Sequence, residues 1–389
     1  MSALIKKAVK ETDKLLILLC LTLSAIGVVA VSSATHSSAA EDVFLSRDAK
    51  VMVLAVAMGL FAALIISLLD YEFVLKLWPV IGVVGVLLML LLIPFGVAPN
   101  ARDDSICWFK ITETLYFQPS EIVKIGFVIT FAAHCNKVKD DLSSFRQVLF
   151  LGIHALIYIG LVIITGDMGS ALIFIMMFLA MMFTAGVHWI YFLLGFLVLA
   201  AVSPVLWFKV FGTIQQNRIL ALFYPELYPN EIYQQNQAAK AMRNGGLFGT
   251  GLFKGTYTQH NLVPEDQNDM VFSVICEEFG FIGAVALLLI FVFLIVKILH
   301  VGKKSGSYPA QIMCSGIAFM LGSQIMVNIG MCTKLLPVIG ITLPFISAGG
   351  SSSLCIYLAI GIILGIYRYS NIPEPGAFTY NKLSTAYRK

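Results

Sequence analysis

Eight apolar stretches without a charged side chain divide the chain: Leu15 to Ala40, Val51 to Leu69, Leu77 to Ala101, Gln147 to Gly166, Met168 to Phe208, Phe279 to Val296, Ser305 to Thr333 and Leu335 to Tyr367. A hydrocarbon core takes roughly 20 apolar residues to cross as α-helix, so most of these stretches predict one span each. Met168 to Phe208 is about twice that length and is interrupted by Gly186, His188 and Trp189, which reads as two helices joined by a tight turn. Pro119 to Cys135, apolar apart from Glu121 and Lys124, adds another. The pattern therefore predicts an all-α polytopic membrane protein of about ten helices, with a large loop between the seventh and the eighth. The whole chain, 1–389, reads as one integral membrane unit. It comprises an N-terminal segment 1–14, helices one to seven in 15–208, the loop 209–268, helices eight to ten in 269–368 and a tail 369–389.

Composition supports the class. Hydrophobic residues make up 59% of the chain and the mean hydropathy is +0.88, more apolar surface than a water-soluble chain of this length covers. The placement of Lys and Arg gives the orientation. Lys6, Lys7, Lys10 and Lys14 precede the first span; Lys137, Lys139 and Arg146 lie between the fourth and fifth; Lys297, Lys303 and Lys304 follow the eighth; Arg368, Lys382, Arg388 and Lys389 close the chain. With ten helices all four clusters share one face, expected to be cytoplasmic together with both termini, and the loop 209–268 faces outside. The first apolar stretch is too long for a signal peptide and has no convincing cleavage site, so it is expected to remain as a helix. The seven cysteines and six histidines are scattered, without the spacing of a disulfide framework or a zinc site. The formal net charge of +4 follows from the cytoplasmic clusters and calls for no nucleic-acid partner.

Ionisable groups inside spans cost a few kcal/mol each unless they are paired or face water. Glu121 and Lys124 stand three apart on one helical face, suited either to a structural ion pair or to lining a substrate cavity. Asp167 begins a span, where it can cap the helix or belong to a site. The densest acid lies in residues 261–280, with Glu265, Asp266, Asp269, Glu277 and Glu278 where a polar loop enters an apolar helix. One of Glu277 and Glu278 is expected to need a buried donor, and Lys124 is the candidate. In the loop, Tyr233 to Arg243 reads as an amphipathic helix lying on the outer leaflet. Gly245, Gly246, Gly249, Gly251 and Gly255 follow it, able to bring backbone amides close to a phosphate or simply to form turns. Arg218, Lys240, Arg243 and Lys254 surround this stretch and suit a polyanionic headgroup. From Leu335 to Ser353 the chain carries Pro337, Gly340, Pro344, Gly349 and Gly350. Irregular backbone at membrane depth is tolerated where it is buried or lines a cavity, so this segment, with Ser347, Gly349, Gly350 and Ser351, is expected to wall a substrate site.

These residues coincide with a family pattern. The chain resembles, nearly end to end, the SEDS proteins (shape, elongation, division and sporulation), the class that contains RodA and FtsW. The resemblance is carried by Gln118-Pro119-Ser120-Glu121-Ile122-Val123-Lys124, Gly166-Asp167-Met168-Gly169-Ser170-Ala171 and the stretch from Tyr233 to Gly251. Val263-Pro264-Glu265 through Asp269-Met270-Val271-Phe272 to Glu277-Glu278-Phe279-Gly280 also matches, as do Asn328-Ile329-Gly330-Met331 and Leu343 to Ser352. The departures are the neighbours of Asp269, Lys334 where glycine is common, Ala348 where tyrosine is common, and altered spacing around Arg102 and Trp108. The stretch from Lys254 to His260 and the short tails lean toward RodA.

The resemblance implies a peptidoglycan glycosyltransferase of the bacterial cytoplasmic membrane that polymerises lipid II at the outer face, for cell elongation and shape or for division. It implies a class B penicillin-binding protein and other elongation or division proteins as partners, beside lipid II and the growing strand. The family's essential aspartate matches Asp269. Such chemistry needs a carboxylate to take the proton of the attacking sugar hydroxyl and positive charge for the leaving pyrophosphate. Asp269 is expected as the base, with Glu265, Glu277, Glu278 and Asp167 in support. Arg218, Lys240, Arg243, Lys254 or a hydrated Mg²⁺ or Mn²⁺ would supply the charge; Asp269 as a ligand to that ion stays open as the alternative. No organic cofactor is expected. Two rival readings remain: a flippase of lipid-linked precursors using Glu121, Lys124 and Glu278, and a non-catalytic scaffold for the penicillin-binding protein.

Overall fold

The structure, a computed structural model, describes residues 11–36, 46–98, 105–112 and 116–371. Lys6, Lys7, Lys10, Arg102, Lys382, Arg388 and Lys389 of the sequence reading lie outside them. In chain order the helices are α1 Lys14–Ala34, α2 Arg47–Leu68, the short α3 Tyr71–Lys76, α4 Trp78–Phe95, α5 Pro119–Lys137, α6 Phe145–Ile164 and α7 Met168–Ala185. They continue with α8 Trp189–Val205, α9 Thr213–Phe223, α10 Pro229–Gly245, the single turn α11 Thr256–Gln259, α12 Val271–Ser305, α13 Tyr308–Cys332 and α14 Gly350–Asn371. A two-residue hairpin, β1 Phe109–Lys110 against β2 Tyr116–Phe117, precedes α5.

Among the described residues nine helices are long and apolar enough to cross a membrane. The tenth of the expected set, α5, has 19 residues and so runs about 28 Å, but Glu121, Lys124 and His134 make it more polar than the others. The protein is thus an all-α, multi-pass membrane protein. The break expected near Gly186 is present: this residue caps α7 in the left-handed conformation at φ 85° and turns the chain into α8. The helix starts are set by side chains where the sequence supplies them. Asp13 accepts hydrogen bonds from the N–H groups of Leu15 and Leu16, which satisfies two of the orphan donors at a helix start.

Burial is uneven, and that governs where a site can be held. Helices α13 and α14 are enclosed by the others, whereas α8 has no buried residue. At one end of the bundle, Lys297 pairs with Asp13 at 2.6 Å and Arg368 with Glu11 at 3.2 Å, tying α12 and α14 to the start of α1. The opposite end carries α9 to α11 and the acid-rich turn before α12. Helix α10 begins earlier and ends later than the sequence reading expects, and its apolar face meets protein: Ile232, Ala238 and Ala241 are buried. Gln235 donates from Nε2 to the carbonyls of Met331 at 2.7 Å and Leu336 at 2.8 Å, fastening α10 over the end of α13.

Helix α12 contains the principal irregularity. Gly280 sits at φ 69°, ψ −170°, so the 35-residue helix is broken one quarter of the way along. Each interrupted backbone group finds a partner in the glycine-rich loop: Thr250 N donates to Glu277 O and Gly251 N to Glu278 O, while Phe281 N donates to Gly246 O and Ile282 N to Leu247 O. These contacts are possible because the two chains approach at glycine. A Cβ on Gly249, itself at φ 82°, would lie 2.1 Å from the carbonyl oxygen of Glu278. The glycines singled out in the sequence as candidate phosphate cradles therefore serve a break in the neighbouring helix.

Gly249→Ala should for this reason destabilise by more than about 1 kcal/mol, from both the backbone conformation and the clash. Thermal unfolding of purified protein in detergent checks it; an unchanged midpoint would show that the loop and the broken helix are not held together as described.

Candidate functional site

The turn from Val263 to Met270 brings the acid cluster to the rim of a cavity of about 760 Å³. The cavity is walled by α5, α7, the end of α8, α9, the loop after α13 and the start of α14. Of the residues expected from the sequence it gathers Asp269, Glu265, Glu121, Asp167, Arg218, Gly349, Gly350 and Ser351. Asp269 is 7% exposed and immediately precedes α12. Arg218 projects from α9 and is the basic residue lining the cavity among those described.

The backbone that carries Asp269 is laced to the segment after α13. Ala348 N donates to Gln267 O at 2.8 Å, Ser347 Oγ donates to Asn268 O at 2.6 Å, and Asn328 Nδ2 donates to Asp269 O at 2.8 Å. Asn328 also donates to Ile341 O at 2.7 Å, and Ser347 Oγ accepts from Leu343 N at 2.8 Å. Within the turn, Asn268 N and Met270 N both donate to Glu265 O, and Asn268 Nδ2 donates to Glu265 Oε2 at 2.7 Å.

On the α5 wall of the cavity, Glu121 Oε1 accepts from Lys124 Nζ at 2.7 Å, with the Lys124 side chain fully buried. The i,i+3 pair anticipated from spacing is made, and Glu121 still lines the cavity. Asp167 also does two things: Oδ1 caps α7 by accepting from Ser170 N at 2.9 Å, and Oδ2 accepts from Gln118 Nε2 at 2.7 Å and Ser120 Oγ at 3.1 Å.

Other expected residues stand elsewhere. Lys240 and Arg243 on α10 and Lys254 in the loop after it are exposed, and none of them lines the cavity. Glu277 does not use Lys124; it accepts from Asn244 Nδ2, the N–H groups of Tyr257 and Thr258, and Thr258 Oγ1, all within 2.8 to 2.9 Å. Glu278 Oε1 accepts from Ser33 Oγ at 2.5 Å and Phe253 N at 3.1 Å. Both acids thus hold the loop to the broken helix. Ser347 is buried in the contacts just described. The sequence reading omitted Gln324, which lines the cavity from α13, and Asn328 as a holder of the turn. A signal was present, since two amides four residues apart on one face of an apolar span mark a polar stripe aimed at something.

Asp266 has a distinct environment. It is 4% exposed, Oδ2 has no hydrogen-bond partner, and burial, assisted by the nearby charges of Glu265 and Glu277, pushes its pKa up to about 7. Desolvation disfavours the ionised form of a carboxyl group. Among the described residues no three His, Cys, Asp or Glu side chains converge as a metal cage.

The comparisons with known proteins agree on one relationship. The model of the FtsW/RodA/SpoVE cell cycle protein family matches residues 13–372. The probable peptidoglycan glycosyltransferase FtsW of Trichlorobacter lovleyi is 32% identical over 92% of this chain and 93% of its own length. Stage V sporulation protein E of Bacillus subtilis is 30% identical over 92% of this chain and 97% of its own. A chain from a solved structure described as the structural coordination of polymerization and crosslinking by a peptidoglycan synthase complex superposes with a TM-score of 0.77 at 25% identity, covering 93% of this chain and 99% of that one.

Two outcomes follow from the buried charges. Unfolded Asp266 ionises near the ordinary 3.8 and the folded group near 7, so its contribution to stability is full below about pH 4, falls as pH rises toward 7 and is lost above it. Asp266→Asn stays neutral throughout, so its unfolding midpoint should gain on that of the wild type between pH 5 and pH 8; a constant difference would remove the buried-acid assignment. Truncating Glu121 to Ala strands the Lys124 ammonium and should cost about 3–5 kcal/mol. Adding Lys124→Met should restore most of that stability, as read by thermal unfolding of the wild type and the two variants.

Proposed function

Because the chain belongs to the FtsW/RodA/SpoVE family of cell cycle proteins and is, like its relatives, a peptidoglycan glycosyltransferase, we propose that it polymerises lipid II with Asp269 as the general base. What carries the reading is one cavity that holds a buried carboxylate at its rim and an arginine on its wall. In the reaction the 4-hydroxyl of one lipid-linked sugar attacks the anomeric carbon of another. The new glycosidic C–O bond forms as the bond to the pyrophosphate oxygen breaks, with inversion at the anomeric carbon. The hydroxyl proton passes to a carboxylate oxygen of Asp269, and the lipid pyrophosphate leaves with its negative charge opposed by Arg218. The partial burial of Asp269 keeps water from competing for it. Glu121 and Asp167, lining the same cavity, are acceptors suited to sugar hydroxyls.

A divalent cation would find Glu265 and Asp269 on one turn at the cavity, and Mg²⁺ is commonly held by one or two carboxylates together with substrate phosphates and water. Bound there, Mg²⁺ or Mn²⁺ would neutralise pyrophosphate; no step of the reading runs through it. We further propose that the cytoplasmic membrane of a bacterium houses the protein, with both termini in the cytoplasm and the cavity outside. The ion pairs Asp13–Lys297 and Glu11–Arg368 support this, since they gather basic side chains at the end opposite Asp269. A class B penicillin-binding protein is the proposed partner that crosslinks the strands, and the relative solved as part of a synthase complex supports a partner of that kind. Elongation and division remain the two cellular settings.

The test is polymerisation of labelled lipid II by purified protein with its penicillin-binding partner and divalent cation supplied. Asp269→Asn should lower the rate by about 10²- to 10⁴-fold while the unfolding midpoint holds. A folded Asp269→Asn protein of wild-type rate would remove the base. Absence of strands from the wild type itself would turn the reading toward transport or scaffolding, and lipid II translocation into vesicles would separate those two.

A further inference from the structure

We propose that Ser347 and Asn328 are positioning residues that set the reach of Asp269 by holding the carbonyls of Asn268 and Asp269 in a fixed register, next to the Gln267 carbonyl held by the N–H of Ala348. The proposal rests on the reading of Asp269 as the base and extends it to residues that do not touch substrate.

Three consecutive carbonyls in a loop at the edge of a membrane protein are ordinarily left to water or to a helix. Here each meets a donor from a separate point: the N–H of Ala348, the hydroxyl of Ser347 and the amide of Asn328. Asn328 is fully buried, spends both of its N–H groups on Asp269 O and Ile341 O, and leaves its own Oδ1 without a partner. An amide turned the other way would give up two bonds to carbonyls and set oxygen against oxygen, so its orientation is dictated by the backbone of Asp269. Ser347 likewise spends both capacities of its hydroxyl, as donor to Asn268 O and acceptor from Leu343 N.

Backbone conformation supplies an independent observation. Glu265 at φ 56° and Phe345 at φ 66° occupy the left-handed region, which costs a residue with a side chain and persists where its surroundings over-determine it. One stands just before the three carbonyls and the other just before their donors. The clamp therefore joins two turns that are each held in an unfavourable conformation, and the carboxylate of Asp269 extends from the joint into the cavity. A general base acts through geometry first, and a displacement of about 1 Å can cost about 10²-fold in rate.

The distinguishing experiment measures kcat and KM for lipid II polymerisation by the full chain with its penicillin-binding partner, in Ser347→Ala, Ser347→Thr, Asp269→Asn and Ser347→Ala/Asp269→Asn. If the hydroxyl positions the base, Ser347→Ala lowers kcat by about tenfold or more with KM within about twofold, and Ser347→Thr, which keeps the hydroxyl, recovers most of the loss. In the residual rate of Asp269→Asn the Ser347→Ala change costs little further, because the group through which it acts is already gone. Should Ser347→Ala not fold, the near-isosteric Ser347→Cys, a weak donor, is read in the same way. An unchanged kcat, a rise in KM alone, or a loss that multiplies in the double variant would overturn the positioning role. A fully active Asp269→Asn would instead overturn the base on which the proposal rests, so the two failures are distinct.

Discussion

Every backbone N–H and C=O at membrane depth must find a partner inside the protein, and this constraint organises the functional half of the molecule. Two of the chain's departures from regular helix lie close to Asp269 in sequence or in contact. At Gly280 the break in α12 is closed by the glycine-rich loop, whose amides and carbonyls take over the interrupted hydrogen bonds of Glu277, Glu278, Phe281 and Ile282. Between α13 and α14 the irregular segment is closed by the acid-bearing turn through Asn328, Ser347 and Ala348. The first repair lies on the helix into which Asp269 leads, and the second bonds the turn that carries it. The turn is therefore tied through its own carbonyls to α13 and to the segment before α14.

Burial of charge divides the acids into those used for structure and those left facing the cavity. Glu277 accepts hydrogen bonds on both oxygens from the side chain of Asn244 and from loop amides and a loop hydroxyl, and Glu278 accepts from Ser33 of α1 and from the amide of Phe253, so neither acid has a lysine as its partner. Lys124 is thereby left to Glu121, three residues away on the same helix. A buried ion pair of this kind adds little net stability over an apolar pair, but it presents a carboxylate to the cavity at a depth where an unpaired one would be costly. Asp167 and Glu265 serve both purposes, accepting hydrogen bonds within the fold while they line the chamber, and Asp269 lines the same chamber, which also contains Arg218.

Much of this was legible in the sequence, and the limits have physical causes. The ten helices could be read because a span must be long and apolar, a property of contiguous residues. The Glu121–Lys124 pair could be read because i,i+3 partners lie on one helix. Asp269 drew notice through its position at the entry of a span and through the family resemblance. The partners of Glu277 and Glu278 could not be read, since three of their donors are main-chain amides, of Phe253, Tyr257 and Thr258, which any sequence supplies, and the side-chain donors Ser33, Asn244 and Thr258 lie far away in the chain. The glycines from Gly245 to Gly255 were ambiguous for a related reason: a glycine reports that something approaches closely, without saying whether it is a phosphate or another strand of backbone. Ser347 was expected on a cavity wall and is found bonding the backbone behind it, a difference of a few ångströms that residue type does not encode.

The two sides of the cavity meet different physical demands. On the proposed reading of Asp269 as the base, a group that must meet a hydroxyl within hydrogen-bond distance requires a rigid support, and Asp269 is fastened to α13 and to the segment leading into α14, the most enclosed of the apolar spans. The side formed by Leu199, Leu206 and Val210 belongs to α8 and the turn after it, whose helix has no buried residue. A wall of that kind cannot fix a reacting group, but a lipid-linked substrate asks only that it be apolar. The chemistry stands on the packed wall and the lipid-compatible surface on the loose one, which is the arrangement expected where a polar headgroup must be held still while its hydrocarbon tail remains in the bilayer.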